Sequence, residues 1–365
     1  MKQLGRLGLS ALIGVVVASI YFLFEHGLHH ALHFVWFDLV DTDEQRLWVP
    51  VICIVLTIVY FGTMHALDPQ NEHRESHGLG ETSKVSAANI SKILVIGFLS
   101  LLAGASLGPE AVLVPACIMS GVFIGKLFLP GTDHDTKALG VVGFVALFTA
   151  FFSSFFVGVI SLLLVKRQFK TRIEPTLIVY AITAAVTSYL TLKILENPSY
   201  VQLPDHSWSL NISTLFLLSI LLGAGYAIVY LLDIAHTASQ YVTRYLTDKA
   251  WWLHALVTGG VLSMLYLLGG NLVEFTGNLA IIPMFHQASA LGLVGLVWIM
   301  VVKLLAISWS RAGGFRGGLI FPMIFVASIV VAIIHLYAPA LNPIYGLIAT
   351  IVGMFVADRK VKALI

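Results

Sequence analysis

Long apolar runs alternate with short polar joins along the whole chain. The runs cover Leu7–Phe24, Leu47–Met64, Ile93–Gly108, Ala111–Phe128, Ala138–Val165, Thr176–Leu195, Leu215–Leu232, Trp251–Leu268, Leu291–Trp309, Leu319–Leu336 and Ile344–Val356. Several are shorter than the ~20 residues that a helix needs to cross a bilayer perpendicular to its plane. The pattern predicts roughly ten helical segments. Two pairs of runs abut without a polar loop. Ile93–Gly108 meets Ala111–Phe128 at Gly108-Pro109, and Leu291–Trp309 meets Leu319–Leu336 across the Gly-rich join Ser310–Pro322, SRAGGFRGGLIFP. Interrupted segments in corresponding halves point to a binding site between broken helices. The polar stretch Asn197–Ser213 reads as a linker, so the expected organisation is a first membrane half over residues 1–196, a linker over 197–213 and a second half over 214–365.

Composition supports a membrane setting. Of 365 residues, 58% are hydrophobic and 11% are charged, far more apolar residues than a soluble core of this length uses. The chain is read as an all-α polytopic membrane protein embedded in the lipid bilayer of the cell membrane. Its formal charge of +2 is spread thinly, with no basic tract that would fit nucleic acid. Cys53 and Cys117 both fall in apolar runs and read as small core residues, giving neither a disulfide framework nor a thiolate metal site. Leu7–Phe24 is followed by Glu25 and His26 without a small-residue cleavage site, so it reads as the first membrane helix and not a cleaved signal. Lys2 and Arg6, with the basic run Lys166–Arg172, place the amino terminus in the cytoplasm.

The candidate chemistry centres on Glu110, a lone carboxylate within LLAGASLGPEAVLVPACIMSGVFIG, Leu101–Gly125. A lone acid at membrane depth costs a few kcal/mol and marks an ion or proton path by default. Gly104, Gly108 and Pro109 break the segment just before it, and a new helix can begin at the proline, whose missing N–H costs nothing there. A helix start presents unpaired N–H groups and about half a positive charge. Two starts facing each other would replace part of an anion's hydration shell while still letting it leave. Gly108, Pro109 and Ala111 at the first break, and Gly318, Leu319, Ile320 and Phe321 at the second, are the candidate anion-binding residues, with Glu110 as a tethered anion that gates the site. The expected permeating ligand is chloride or another small anion. Neither a cofactor nor a catalytic role is expected.

These residues resemble a known family, the CLC chloride channels and proton-coupled chloride transporters. Gly104-Ala105-Ser106-Leu107-Gly108-Pro109-Glu110-Ala111 is similar to the family's Gly-(Lys/Arg)-Glu-Gly-Pro motif, with Glu110 at the gating position, Pro109 in place of the base and Ala111-Val112 in place of Gly-Pro. Gly317-Gly318-Leu319-Ile320-Phe321-Pro322-Met323 is similar to Gly-x-Phe-x-Pro, with Ile320 where phenylalanine is expected and Phe321 displaced by one. The resemblance covers most of the chain from about Leu7. It implies two inverted halves whose broken helices meet at the bilayer midplane, a homodimer with one pore per subunit, and a pore for chloride or similar monovalent anions that responds to pH and voltage. The family's Gly-Ser-Gly-Ile-Pro motif has only a loose counterpart in the loop Thr63–Ser91, where His65–Pro69 and Gly78-Leu79-Gly80 stand, and no serine ligand is assigned there. Leu164 and Val165 stand where the family's transporters carry an internal proton-passing glutamate, which favours a passive channel over an exchanger. The family's last helices bring a tyrosine to the anion, whereas this sequence stops at Ile365, so the second half reads as shortened. A proton-coupled antiporter remains the alternative.

Other signals compete. His26, His29, His30 and His33 recur at helical spacing but lack acid or thiol companions other than Glu25, and they read as the polar end of the first helix and not a metal site. The polar loop Asp68–Ser76 reads as a solvated face. Arg311 and Arg316 are candidate mouth charges, and Lys303 and Asp233 are charges in or near apolar runs whose partners the sequence does not name. Gly104-Ala105-Ser106-Leu107-Gly108 also matches Gly-x-Ser-x-Gly, so an intramembrane serine hydrolase using Ser106, with His236, His254 or His335 as base, is an alternative from another class.

Overall fold

An apolar run surrounded by lipid satisfies its backbone only internally, and the runs accordingly fold as helices. A computed structural model describes residues 2–39, 45–69, 85–129, 133–163, 174–201, 212–247, 249–339 and 341–361. Its α-helices are α1 (Lys2–His33), α2 (Trp48–Leu67), α3 (Ala87–Leu102), α4 (Glu110–Phe128), α5 (Asp133–Phe152), α6 (Phe155–Ile160), α7 (Pro175–Ile194), α8 (Ile212–Thr247), α9 (Trp251–Gly269), α10 (Ile281–Ala312), α11 (Ile320–Tyr337) and α12 (Pro343–Val361). Among the described residues eight helices are long and apolar enough to cross a membrane, and three shorter apolar helices accompany them. The one β-type contact recorded among those residues is an antiparallel bridge between Gly108 and Gly318. The fold is thus all-α and multi-spanning, as the hydropathy pattern predicts.

Several segment ends differ from the apolar runs. Ala138–Val165 is not one helix: it breaks at Ser153, which adopts a left-handed φ of 44°, and at Ser154, whose backbone is extended and whose Oγ caps α6 by accepting from the Val157 N–H at 3.5 Å. Its last residues, Leu164 and Val165, lie outside the described residues, as do the basic run Lys166–Arg172, Gly78-Leu79-Gly80 and most of the linker. The run at Leu291–Trp309 is the later part of α10, which begins at Ile281 and bends at Gly292, where φ is 60°. Polar His286, Gln287 and Ser289 conceal that first part from a hydropathy reading. Similarly, α8 continues through Asp233 and His236 to Thr247. Its 36 residues make about 54 Å of helix, against a hydrocarbon core of about 30 Å, so it tilts or projects beyond the core.

The chain divides into two compact units that interleave in sequence. The first comprises Met1–Ala31, Leu67–Phe98 and Ala111–Val201, and the second Leu32–Ala66, Leu99–Glu110 and Gln202–Ile365. In the first, Tyr21 meets Phe151 edge-on at 5.4 Å and Phe24 meets Phe98 at 5.8 Å. Small residues let its helices approach closely: a Cβ on Gly121 would strike the Leu139 carbonyl and one on Gly143 the Cys117 carbonyl.

In the second unit every residue of α11 from Phe321 to Ala332 is buried, as suits a helix that is apolar all round. The pair α8 and α12 packs backbone to backbone, with Gly225 against the Thr350 carbonyl and Gly353 against the Leu222 carbonyl. Gly225→Val and Gly353→Val are each expected to destabilise the protein by about 1–3 kcal/mol through overpacking. Thermal unfolding of the detergent-solubilised protein measures this. Gly260→Ala is the control, because a Cβ there meets nothing within 4 Å.

Candidate functional site

The two sequence breaks meet within the second unit. At the first, α3 ends with the Gly104 N–H donating to the Leu101 carbonyl (3.0 Å) and the Ala105 N–H to the Ser100 carbonyl (3.3 Å). At the second, α10 ends with the Gly314 N–H donating to the Arg311 carbonyl (3.3 Å) and the Phe315 N–H to the Ser310 carbonyl (3.1 Å). Both are Schellman endings, and each needs a residue in the left-handed region. Gly104 and Gly314 supply it, with φ of 95° and 94°.

Corresponding residues lie 210 positions apart, and the breaks hold each other reciprocally. The Ser106 N–H donates to Ser310 Oγ (3.0 Å), and the Arg316 N–H donates to Ser100 Oγ (2.8 Å). The Gly108 N–H donates to the Gly318 carbonyl (2.8 Å), and the Gly318 N–H to the Gly108 carbonyl (2.7 Å). Glu110 then opens α4 and Ile320 opens α11. A single motif, Ser-x3-Gly-x3-Gly followed two residues later by a helix start, is thus written twice, at Ser100 and at Ser310.

Symmetry ends at the side chain. Glu110 stands at one start and Ile320 at the other, and the carboxylate crosses over: Glu110 Oε1 accepts from the Ile320 N–H at 2.6 Å and from the Phe321 N–H at 3.4 Å. Glu110 is only 4% exposed, and its Oε2 is buried with no hydrogen-bond partner. The carboxylate therefore sits on the orphan N–H groups of α11, where the helix dipole favours negative charge. Gly108 and Gly318 make room for it, because a Cβ on either would collide with the Glu110 carboxylate. Pro109 is buried in the turn between the bridge and α4, Ala111 follows Glu110 half-buried, and buried Leu319 precedes the start of α11, its carbonyl accepting from the Met323 N–H (3.0 Å). The structure thus gathers Gly108, Pro109, Glu110, Gly318, Leu319, Ile320 and Phe321 in one place.

Non-helical backbone in an apolar medium needs partners, and side chains that the sequence reading did not place at the breaks provide them. Trp36 Nε1–H donates to the Leu102 carbonyl (3.0 Å), the Cys53 thiol lies 3.6 Å from the Ala103 carbonyl, the Tyr266 hydroxyl donates to the Gly104 carbonyl, and the Thr276 hydroxyl donates to the Leu107 carbonyl (2.7 Å). On the second break, Tyr60 donates to the Gly314 carbonyl (2.9 Å) and His254 Nε2 lies 2.7 Å from the Gly313 carbonyl. Arg46 ties the segment after α9 in place, bonding Asn271, Glu274 (2.7 Å) and the Tyr266 carbonyl (2.9 Å). Lys303 donates to the carbonyls of Val273 and Phe275. The signal that could have found part of this set is the repeated Ser-x3-Gly-x3-Gly spacing, together with the isolated charges Glu274 and Lys303.

The competing signals fare differently. His26 and His30 lie 2.9 Å apart through their Nε2 atoms, and among the described residues no group of three or more His, Cys, Asp or Glu side chains could hold a metal. Ser106 Oγ is buried without a hydrogen-bond partner, so it is bonded to none of His236, His254 or His335, and the nucleophile–base pair of the hydrolase reading is not formed.

Comparison with known proteins agrees with this architecture. Residues 70–357 match the family model described as voltage gated chloride channel. The putative ion-transport protein YfeO of Shigella flexneri is 24% identical over 278 residues, covering 74% of this chain; the chain spans 63% of the length of that relative. Among solved structures, a slow cyanobacterial Cl−/H+ antiporter superposes with a TM-score of 0.77 at 18% identity, covering 98% of this chain and 86% of the other. A CLC-type fluoride/proton antiporter gives 0.68 at 17% identity, over 96% and 86%. A eukaryotic CLC transporter gives 0.65 at 13% identity, over 98% and 72%. The sequence match over residues 70–357, joined to this likeness of fold, makes the chain a member of the voltage gated chloride channel, or CLC, family.

Proposed function

We propose that the chain is a passive channel for chloride or a similar small monovalent anion, gated by the Glu110 carboxylate. The observation that carries this reading is the seat of Glu110 Oε1 on the Ile320 and Phe321 N–H groups. A carboxylate oxygen held by helix-start amides is what a bound anion would look like there, so the side chain and the permeating ion compete for one place. Protonation of Glu110, or its swing away, frees the place.

The energetics suit a gate. Hydrogen bonds to a charged group contribute about 1.5–3 kcal/mol each, while an unsatisfied buried oxygen costs at least about 1–3 kcal/mol. The bonds to Oε1 and the unpartnered Oε2 therefore oppose each other, and the seated state is held by a small margin. Neutral amides, not a lysine or arginine head group, meet the anion, which keeps binding weak enough for release. In this reading Ile320 and Phe321 donate, Gly108 and Gly318 leave the space, and Pro109, Ala111 and Leu319 adjoin Glu110 and Ile320 along the chain.

The same reading takes residues 1–196 and 214–365 as inverted halves joined by 197–213, the amino terminus as cytoplasmic, the cell membrane as location and a homodimer as the assembly. Leu164 and Val165, aliphatic at the position of the family's internal proton relay, favour the channel over the exchanger. The measurement is chloride efflux from liposomes carrying the purified protein, at two pH values, with proton movement recorded simultaneously. Efflux without stoichiometric proton uptake, responsive to pH in the parent and unresponsive in Glu110→Gln, is the expected result. Coupled proton uptake would make the protein an exchanger, and an unchanged pH response in Glu110→Gln would remove Glu110 from the gate.

Gly318→Ala tests the seat separately. The added methyl collides with the carboxylate while leaving the backbone conformation accessible, since φ at this glycine is not in the left-handed region. The variant is expected to fold and to lose most of the pH response of flux in the same assay.

A further inference from the structure

Lys303 is fully buried on α10, and none of the roles above requires a charge there. Its Nζ donates to the carbonyls of Val273 (2.9 Å) and Phe275 (2.5 Å) and lies 3.5 Å from that of Glu274, three acceptors from one short segment. An ammonium has three donors and no acceptor, so it fits this cradle. The nearby carboxylate of Glu274 is bonded at 2.7 Å to Arg46. With Lys303 as an ammonium, Arg46 (+1), Glu274 (−1) and Lys303 (+1) together carry a net charge of +1.

The position of that charge is what matters. Lys303 Nζ stands 5.4 Å from the centroid of the Phe325 ring. Phe325 is one turn along α11 from Phe321, whose N–H faces Glu110. One turn advances about 5.4 Å, which puts the ammonium on the order of 10 Å from the anion site. Phe325 and Lys303 are both completely buried, so water screens the charge little.

We propose that Lys303 is an affinity-determining residue of the anion site: a charge held behind the start of α11 that draws a small anion there without touching it. The inference rests on the proposed pore through the Glu110 site. A unit charge at that range, in the effective dielectric of about 20 that suits buried protein sites, changes an anion's binding constant by roughly tenfold. It does so without the tight grip of direct ammonium contact, which would slow release.

The experiment compares the parent with Lys303→Arg, which keeps the charge, and Lys303→Gln, which keeps hydrogen-bond donors but is neutral. Each is made in the native protein and in Glu110→Gln, and chloride efflux from proteoliposomes is measured against chloride concentration. Lys303→Gln is expected to raise the half-saturating chloride concentration about tenfold with a much smaller change in maximal rate, while Lys303→Arg stays near the parent value. The same shift is expected in Glu110→Gln, because the charge acts on the ion and not on the gate. Thermal unfolding in detergent runs alongside: a role limited to capping carbonyls lowers stability and leaves half-saturation unmoved. Half-saturation unchanged in Lys303→Gln, or raised equally in Lys303→Arg, overturns the inference alone when Glu110→Gln still alters flux. Flux indifferent to Glu110 as well overturns the pore reading with it.

Discussion

The structure depends on how two interrupted helices satisfy their backbones where no water can help. Each break frees amide and carbonyl groups, and each free group in an apolar medium costs several kcal/mol. The solution is mutual. Ser100 and Ser310 each accept an N–H from the opposite break, and Gly108 and Gly318 exchange both of their hydrogen bonds. Neither break is satisfied without the other, so the site and the stability of the second unit are one property. Placing the start of α11, buried from Phe321 to Ala332, at this junction then follows, because its first amides need an acceptor and Glu110 is the acceptor that arrives.

Around this junction the molecule uses long-range side chains as struts. Tyr266 joins the Phe275 N–H to the Gly104 carbonyl, and Phe275 packs edge-on against Trp36 at 5.0 Å, while Trp36 holds the Leu102 carbonyl. Thr276 reaches Leu107. The segment after α9 therefore grips the approach to Glu110 at three points, and is itself held by Arg46 and Lys303. Charged residues here fix irregular backbone as well as shape the field, which is why two cations and a carboxylate are tolerated within a chain so poor in charge.

Much of this was legible in the sequence, and the limits were physical. Glu110 stood out because a carboxylate in an apolar run is costly and local composition exposes it. The two Gly-rich joins stood out because glycine and proline interrupt helices wherever they cluster. The breaks' partners did not, because Trp36, Tyr266, Thr276 and Arg46 meet their carbonyls or carboxylate across 66 to 228 residues, and hydropathy carries no record of such pairs. Helix ends were misjudged where polarity and helix geometry disagree. α8 runs on through Asp233 and His236 because hydrogen-bonded helix does not stop where hydrophobicity does, and Ser153-Ser154 split an unbroken apolar stretch because a serine cap and a left-handed φ outweigh hydropathy.

A near-symmetric junction that ends in an asymmetric pair also explains how one acid can serve two helix starts. If position 320 carried a carboxylate as position 110 does, two negative charges would converge on one junction and could not both stay ionised at short range. With Ile320 there, the second start offers amides and no competing charge, and Glu110 reaches across to fill it. The scaffold is thus built by repetition of its backbone contacts, whereas its chemistry comes from a position where the repeat differs, Glu110 against Ile320. The carboxylate left with one oxygen bound and one bare is therefore a consequence of that geometry: the junction supplies donors on the α11 side for Oε1 and none for Oε2. In the proposed gate, a fully satisfied Glu110 would be a permanent part of the wall, whereas one oxygen left bare is what would let it leave.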